Sequence, residues 1–144
     1  MMERRTFFAL GLAGVAGSVV ASRTALSADT PADSALATKL AGSVYYTKDN
    51  PGRWSAKAGG HAPVVESRKG MVMVTTPHEM NGYEHYIVKH TLFDKDMKVI
   101  GETLFDPMQV KAAVSQYEIK DYSGIAYALS MCNLHDCWLT EFTI

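Results

Sequence analysis

The sequence predicts an all-β protein, a sandwich of about seven short strands, and two observations predict it. From residue 62 onward, short apolar or β-branched runs are separated by turn residues at intervals of about 8 to 12. Within the clearest of these runs, side chains alternate with a period of two, as a half-buried strand requires. The chain has 144 residues, enough for one domain of ordinary size.

The elements follow in order. Residues 29–60 lack hydrophobic periodicity and read as an arm and a loop, with a turn of helix over Ala35 to Leu40 and a turn at Asp49-Asn50-Pro51-Gly52. Lys57-Ala58-Gly59-Gly60 reads as a flexible approach to His61. Ala62 to Glu66 is a short strand, Ser67 to Gly70 a turn, Met71 to Thr76 a second strand and Pro77 to Gly82 a loop. Glu84 to Asp94 alternates, with Tyr86, Val88 and His90 on one face and His85, Ile87 and Lys89 on the other. Asp94-Lys95-Asp96 turns the chain into Met97 to Phe105, which makes a hairpin. Asp106-Pro107 ends it. Val114 to Ile119, Ile125 to Cys132 and Trp138 to Ile144 supply the remaining strands, the first two separated by Tyr122-Ser123-Gly124.

The N-terminus has a different composition. Arg4 and Arg5 precede an apolar, glycine-rich stretch from Phe7 to Ala21, and Leu26-Ser27-Ala28 offers small residues for cleavage. The apolar run is shorter than the ~20 residues that span a bilayer. Arg4-Arg5-Thr6-Phe7-Phe8 looks like a twin-arginine export signal, so residues 1–28 are expected to be a signal peptide and the protein to be periplasmic, with no stable membrane insertion after cleavage. Cleavage after Ala28 removes Arg4, Arg5, Arg23 and Glu3, which takes the formal charge from −1 to −3. No Lys/Arg cluster follows in the body of the chain, which argues against a nucleic-acid partner.

Five histidines and two cysteines carry the chemistry: His61, His78, His85, His90, His135, Cys132 and Cys137. Taken singly, a histidine is most often a satisfied core or surface residue, and a cysteine a small buried apolar one. Four of the histidines and Cys132 fall in expected loops or at strand starts, at one end of the sandwich. Cys132-Asn133-Leu134-His135 places a thiol and an imidazole side by side on a tight turn, a common metal-ligand spacing. His90 sits inside a strand, five residues past His85, and is expected to point to the other face. The candidate metal ligands are therefore His61, His78, His85, Cys132 and His135.

Three segments, Gly60 to Glu66 (GHAPVVE), His78 to Ile87 (HEMNGYEHYI) and Cys132 to Trp138 (CNLHDCW), resemble the iron-binding motifs of the superoxide reductase family, that is, neelaredoxin and the desulfoferrodoxin iron domain. The resemblance covers roughly residues 57–140 and is to the one-iron form, without the rubredoxin-like four-cysteine domain. It implies an immunoglobulin-like antiparallel β-sandwich over residues 57–144, after an arm at 29–56. It implies one mononuclear iron with His61, His78, His85 and His135 equatorial and Cys132 axial. It further implies one-electron reduction of superoxide to hydrogen peroxide, an external electron donor such as a small redox protein, and self-association.

Three departures from the family pattern stand out. Gly59-Gly60 replaces the Glu-Lys that usually precedes the first histidine, leaving Lys57 as the nearest cation. His78 and His85 are seven residues apart, one more than expected. Cys137 replaces an apolar residue; a Cys132–Cys137 disulfide across a tight turn is geometrically disfavoured, so a buried free thiol is expected. The missing Glu-Lys motivates an alternative, an exported iron protein that transfers electrons or senses a small ligand. Imidazole and thiolate also suit copper or zinc, which leaves a pure metal-binding module as a third reading.

Overall fold

A computed structural model describes residues 39–144; the signal peptide and cleavage site expected over residues 1–28 lie outside the described residues, as does the helical turn expected over Ala35 to Leu40 apart from its last two positions. The described residues form an all-β sandwich of eight strands: β1 (Tyr45–Tyr46), β2 (Val64–Arg68), β3 (Met71–Glu79), β4 (Ile87–Asp94), β5 (Val99–Leu104), β6 (Ala112–Glu118), β7 (Ile125–Cys132) and β8 (Asp136–Thr143). One sheet has five strands in the order β1-β8-β7-β4-β5, and the other has three in the order β2-β3-β6. All pairings are antiparallel except β1 with β8, where Tyr45 and Tyr46 stand parallel to Cys137 and Trp138. No helix among the described residues is long and apolar enough to cross a membrane.

Local chemistry explains the turns. β2 and β3 are joined through Lys69 and Gly70, both at positive φ, the two-residue turn whose twist matches paired strands. In the β4–β5 turn the Asp94 carboxylate accepts from the backbone N–H groups of Asp96 and Lys98, each at 2.9 Å. Valines and alanines at alternate positions face the gap between the sheets. Val72, Val74, Leu92 and Ala128 form one buried cluster; Met80, Ile87, Phe105, Ala113 and Cys132 form a second, nearer the end that carries the histidines. A third cluster, Tyr46, Ala62 and Trp138 with Trp54 and Ala58 packed against it, binds the 39–61 segment to β8.

Two irregularities position the site. Pro77 has no N–H to give to a ladder, and the β3–β6 register shifts between Thr76 and Glu79, which pushes Pro77 and His78 out of regular pairing. His78 thus stands near the end of β3, where a loop residue was expected. The β4–β7 register also shifts, between Ile87 and Lys89. The extra residue, Val88, breaks the simple alternation expected over Glu84 to Asp94, and Ile87 and His90 are both fully buried in the core although that alternation places them on opposite faces. His85 precedes β4 rather than opening it, since Gly82–Glu84 forms a 3-10 turn. The approach to His61 is not an open loop: Gly52–Lys57 is a 3-10 segment and α1 (Ala58–His61) a helical turn.

Candidate metal centre

The end of the sandwich collects His61 from α1, His78 from β3, His85 from the lead-in to β4, Cys132 from the end of β7 and His135 from the β7–β8 turn. One ligand atom from each lies within 4.8 Å of every other. His90 is not in this group.

The four rings stand in a cycle. His61 Nε2 is 2.9 Å from His135 Nδ1, His135 Nδ1 is 3.1 Å from His85 Nε2, and His85 Nε2 is 3.0 Å from His78 Nε2. His78 and His61 close the cycle with ring centroids 4.5 Å apart, whereas His61 and His85, across the diagonal, are 6.1 Å apart. A first-row divalent ion bonded to imidazole nitrogens at about 2.1 Å in a square puts adjacent nitrogens about 3.0 Å apart. Cys132 Sγ lies 3.6 Å from His135 Nδ1 and 4.0 Å from His78 Nε2, the two members of the other diagonal. A sulfur near both ends of one diagonal lies to one side of the square rather than within it.

The outer ring nitrogens set the tautomers. His61 Nδ1–H donates to the Lys57 carbonyl at 2.9 Å, and His78 Nδ1–H donates to the Glu79 carbonyl. Each leaves an Nε2 lone pair facing inward, as a metal ligand must. Burial lowers the pKa of His61 to about 4, with charge repulsion from His78, His135 and His85 adding to it. His78 and His135 are lowered too, burial again being the largest cause. Imidazoles held neutral, with lone pairs converging at about 3 Å, repel one another unless a cation sits among them. This donor set fits a single divalent metal ion, and imidazole with one thiolate suits iron, copper or zinc.

Residues outside the donor set hold it in shape. Asn133 grips the His85 segment: its Oδ1 accepts from Tyr86 N–H at 3.0 Å, its Nδ2 donates to the carbonyls of Tyr83 and Glu84 at 3.3 and 3.1 Å, and its backbone N–H donates to Tyr86 O at 3.2 Å. Trp138, fully buried, donates Nε1–H to the His135 carbonyl at 2.9 Å. Asp136 sits at positive φ and accepts Trp54 Nε1–H at 2.8 Å and an Arg53 guanidinium N–H. Those two bonds, the Trp54 bond first, hold the Asp136 carboxyl below its ordinary range. The Lys57 charge contributes to lowering His135, so its ammonium is felt at the site. Asn133 in a tight turn was a readable signal, because such turns favour Asn; nothing local marks Trp54 or Asp136 as partners of His135.

Cys132 is buried and Cys137 half-buried, and both are free thiols. Burial raises the Cys137 pKa, which keeps that thiol protonated.

No protein-family model matches the chain, and no curated protein matches it. Solved structures do. A superoxide reductase (neelaredoxin) from Ignicoccus hospitalis is 26% identical over 72% of this chain and 95% of its own, with a TM-score of 0.56. A superoxide reductase (neelaredoxin) from Archaeoglobus fulgidus, a variant in the reduced form, is 25% identical over 62% of this chain and 91% of its own, with a TM-score of 0.50. A superoxide reductase from Giardia intestinalis, 23% identical with a TM-score of 0.51, shares the fold over 59% of this chain and 98% of its own. The sandwich is thus similar to solved superoxide reductases, and its histidine–cysteine group is of a kind that can hold a metal.

Proposed function

We propose that the protein is a superoxide reductase that binds one mononuclear iron through His61, His78, His85, His135 and Cys132. The observation that carries this reading is the square of four inward-facing imidazole nitrogens with a thiol to one side, on a sandwich similar to superoxide reductases. Iron held by these five residues would supply the one electron that, with two protons from solvent, converts superoxide to hydrogen peroxide. The chain's own part is threefold. Carbonyls of Lys57 and Glu79 hold two rings in the ligating tautomer. Burial lowers the pKa of His61 and His78, which favours the neutral form that can ligate. Four neutral rings and one thiolate leave a ferrous site a net charge of about +1, which attracts an anion. His78 and His85 are half-exposed, so protons arrive from water without a side-chain relay.

An external electron donor restores the reduced state; a small redox protein is the class that fits. The Arg4-Arg5 signal supports a periplasmic location, reached by export of the folded protein. Gly59 and Gly60 favour a second reading, an exported iron protein that transfers electrons or senses a small ligand without fast superoxide turnover. Pulse radiolysis on the iron-loaded, reduced protein separates the two. Stoichiometric oxidation of the iron by superoxide, with peroxide formed and no oxygen released, supports the reductase. An intact iron centre that ignores superoxide supports the second reading.

A further inference from the structure

Behind the metal centre, between the sheets, lies a second polar group that the proposed chemistry does not use. Thr76, His90, Ser115 and Ser130 are all buried. They come from four strands, β3, β4, β6 and β7 respectively. His90 Nε2 is 2.8 Å from Thr76 Oγ1, and His90 Nδ1 is 2.8 Å from Ser115 Oγ. Thr76 Oγ1 donates to Ser130 Oγ at 2.8 Å. A hydroxyl has one proton to give. Thr76 gives its proton to Ser130, so the ring must donate from Nε2–H, and Nδ1 must accept from the Ser115 hydroxyl. One neutral tautomer satisfies every contact, and Phe105 closes the group edge-on at 4.9 Å.

A satisfied polar patch in a core is often only a tolerated one, since burying four polar side chains gains nothing over apolar packing. Placement argues for more here. Each of the three hydrogen bonds runs from one sheet to the other: β3 and β6 belong to the three-stranded sheet, β4 and β7 to the five-stranded one. No backbone ladder joins the two sheets at these strands, and apolar packing is non-directional, so these bonds, together with the one from Tyr117 O–H to the His90 carbonyl at 3.4 Å, give the sheets a defined offset at this level. The donor cluster is divided the same way. His78 stands on β3, two residues after Thr76, and Cys132 on β7, two residues after Ser130. A shift of one sheet against the other would move His78 away from the thiol.

We propose that His90 is a positioning residue of the metal centre: through Thr76 and Ser130 it sets the separation between His78 on one sheet and Cys132 on the other. This rests on the metal reading above.

The test compares the full parent protein with His90→Phe, which keeps a ring and removes both bonds, His90→Gln, which restores a donor and an acceptor, and Leu92→Ala, a core change in the same strand with no polar contact. The readouts are the ferrous dissociation constant, measured by chelator competition, and the sulfur-to-iron absorption of the oxidised protein. His90→Phe is expected to weaken iron binding about 10- to 100-fold and to shift the absorption band. His90→Gln should recover most of the loss, and Leu92→Ala should lose thermal stability without moving the band. An unaltered band and dissociation constant in His90→Phe would overturn the proposal while leaving the metal reading intact. A parent protein that binds no iron overturns both. Should His90→Phe fail to fold, Ser115→Ala, which removes one ring contact, carries the same test with a several-fold effect expected; unchanged values there overturn the proposal equally.

Discussion

Trp54 stands edge-on to His135, with ring centroids 4.7 Å apart at an interplanar angle of 87°. Its indole N–H is bonded to Asp136, the next residue after His135, and the Arg53 guanidinium lies over the indole ring, 4.9 Å from the ring centre. The indole is therefore a wall that fixes the plane of one imidazole from a segment 81 positions earlier in the chain. Trp54→Ala removes the wall and one bond to Asp136 together. It is expected to lower metal affinity by about tenfold, the low end of what outer-shell partners contribute. Trp54→Phe keeps the edge contact and loses only the N–H bond, so its loss should be smaller. Chelator competition reads both, and equal affinity in Trp54→Ala and the parent would remove the indole from the account.

Asn133 does for His85 what Trp54 does for His135, but by hydrogen bonds. Its side chain makes three to the backbone between Tyr83 and Tyr86, and its Oδ1 also lies 3.9 Å from Cys132 Sγ. Asn133→Ala leaves those backbone groups to find water. Because the position is exposed, the cost should be about 1–2 kcal/mol of stability rather than the larger penalty of a buried orphan. Asn133→Asp keeps the acceptor for Tyr86 N–H but turns a carboxylate oxygen toward the Tyr83 and Glu84 carbonyls, so it should recover little over alanine. Denaturant unfolding of the metal-free protein measures the series, and an Asn133→Asp variant as stable as the parent would mean that the two Nδ2 bonds contribute nothing.

These two residues also show what sequence can and cannot reveal here. The five donors are legible because His and Cys are few and four of the five fall in two short segments, His78 to His85 and Cys132 to His135, and the β2–β3 and β4–β5 hairpins are legible because Lys69-Gly70 and Asp94-Lys95-Asp96 are strong turn chemistry. β1 is only Tyr45–Tyr46, too short for any periodicity, and it pairs parallel with the last strand of the chain. The fate of His90 was hidden by one extra residue at Val88, because a single bulge reverses every face assignment after it. The helical turn at Ala58–His61 runs against the low helix propensity of Gly59 and Gly60 and is held by tertiary packing instead: Ala58 and Ala62 sit against Tyr46 and Trp138. Contacts such as Trp54–His135 and Thr76–Ser130 join residues with no local pattern in common.

The buried His90 makes stability depend on acid. Desolvation lowers its pKa to about 4 in the folded protein, against about 6.5 when exposed. The unfolded chain therefore takes up this proton first as pH falls. The stability that a neutral His90 allows is complete above about 6.5 and is lost progressively between about 6.5 and 4, at up to about 1.4 kcal/mol per pH unit. His61 titrates in the same window in the metal-free protein, so the measurement must be a difference. Unfolding free energies of the parent and His90→Gln at pH 7.5 and 5 should converge as pH falls, and parallel pH profiles would contradict the assignment.

Cys132→Ser tests the thiol. The sulfur is buried and lies beside a diagonal of the imidazole square. With serine in its place the iron-loaded, oxidised protein should lose its sulfur-to-iron charge-transfer absorption, while the four imidazoles still bind metal more weakly. Far-ultraviolet circular dichroism should match the parent, because the substitution removes little volume. A visible spectrum unchanged from the parent would exclude Cys132 as a ligand.

The glycine pair before His61 offers a gain-of-function test. A Cβ added at Gly60 would meet only the Pro77 carbonyl, at 3.6 Å, which is ordinary contact, and the position lies within the Ala58–His61 turn, where lysine is a better helix former than glycine. Gly60→Lys is therefore expected to fold at least as well as the parent. It adds a cation beside His61 to a protein whose formal charge is −1. Capture of the anion should quicken by about tenfold at low ionic strength, the lower end of what steering supplies, and the gain should shrink as salt shortens the Debye length to about 8 Å near 0.15 M. Pulse radiolysis across a salt series measures it. If the rate rises and its salt dependence steepens, anion capture limits the parent; if the variant folds, binds iron and reacts no faster, the Lys57 charge already felt at His135 is steering enough.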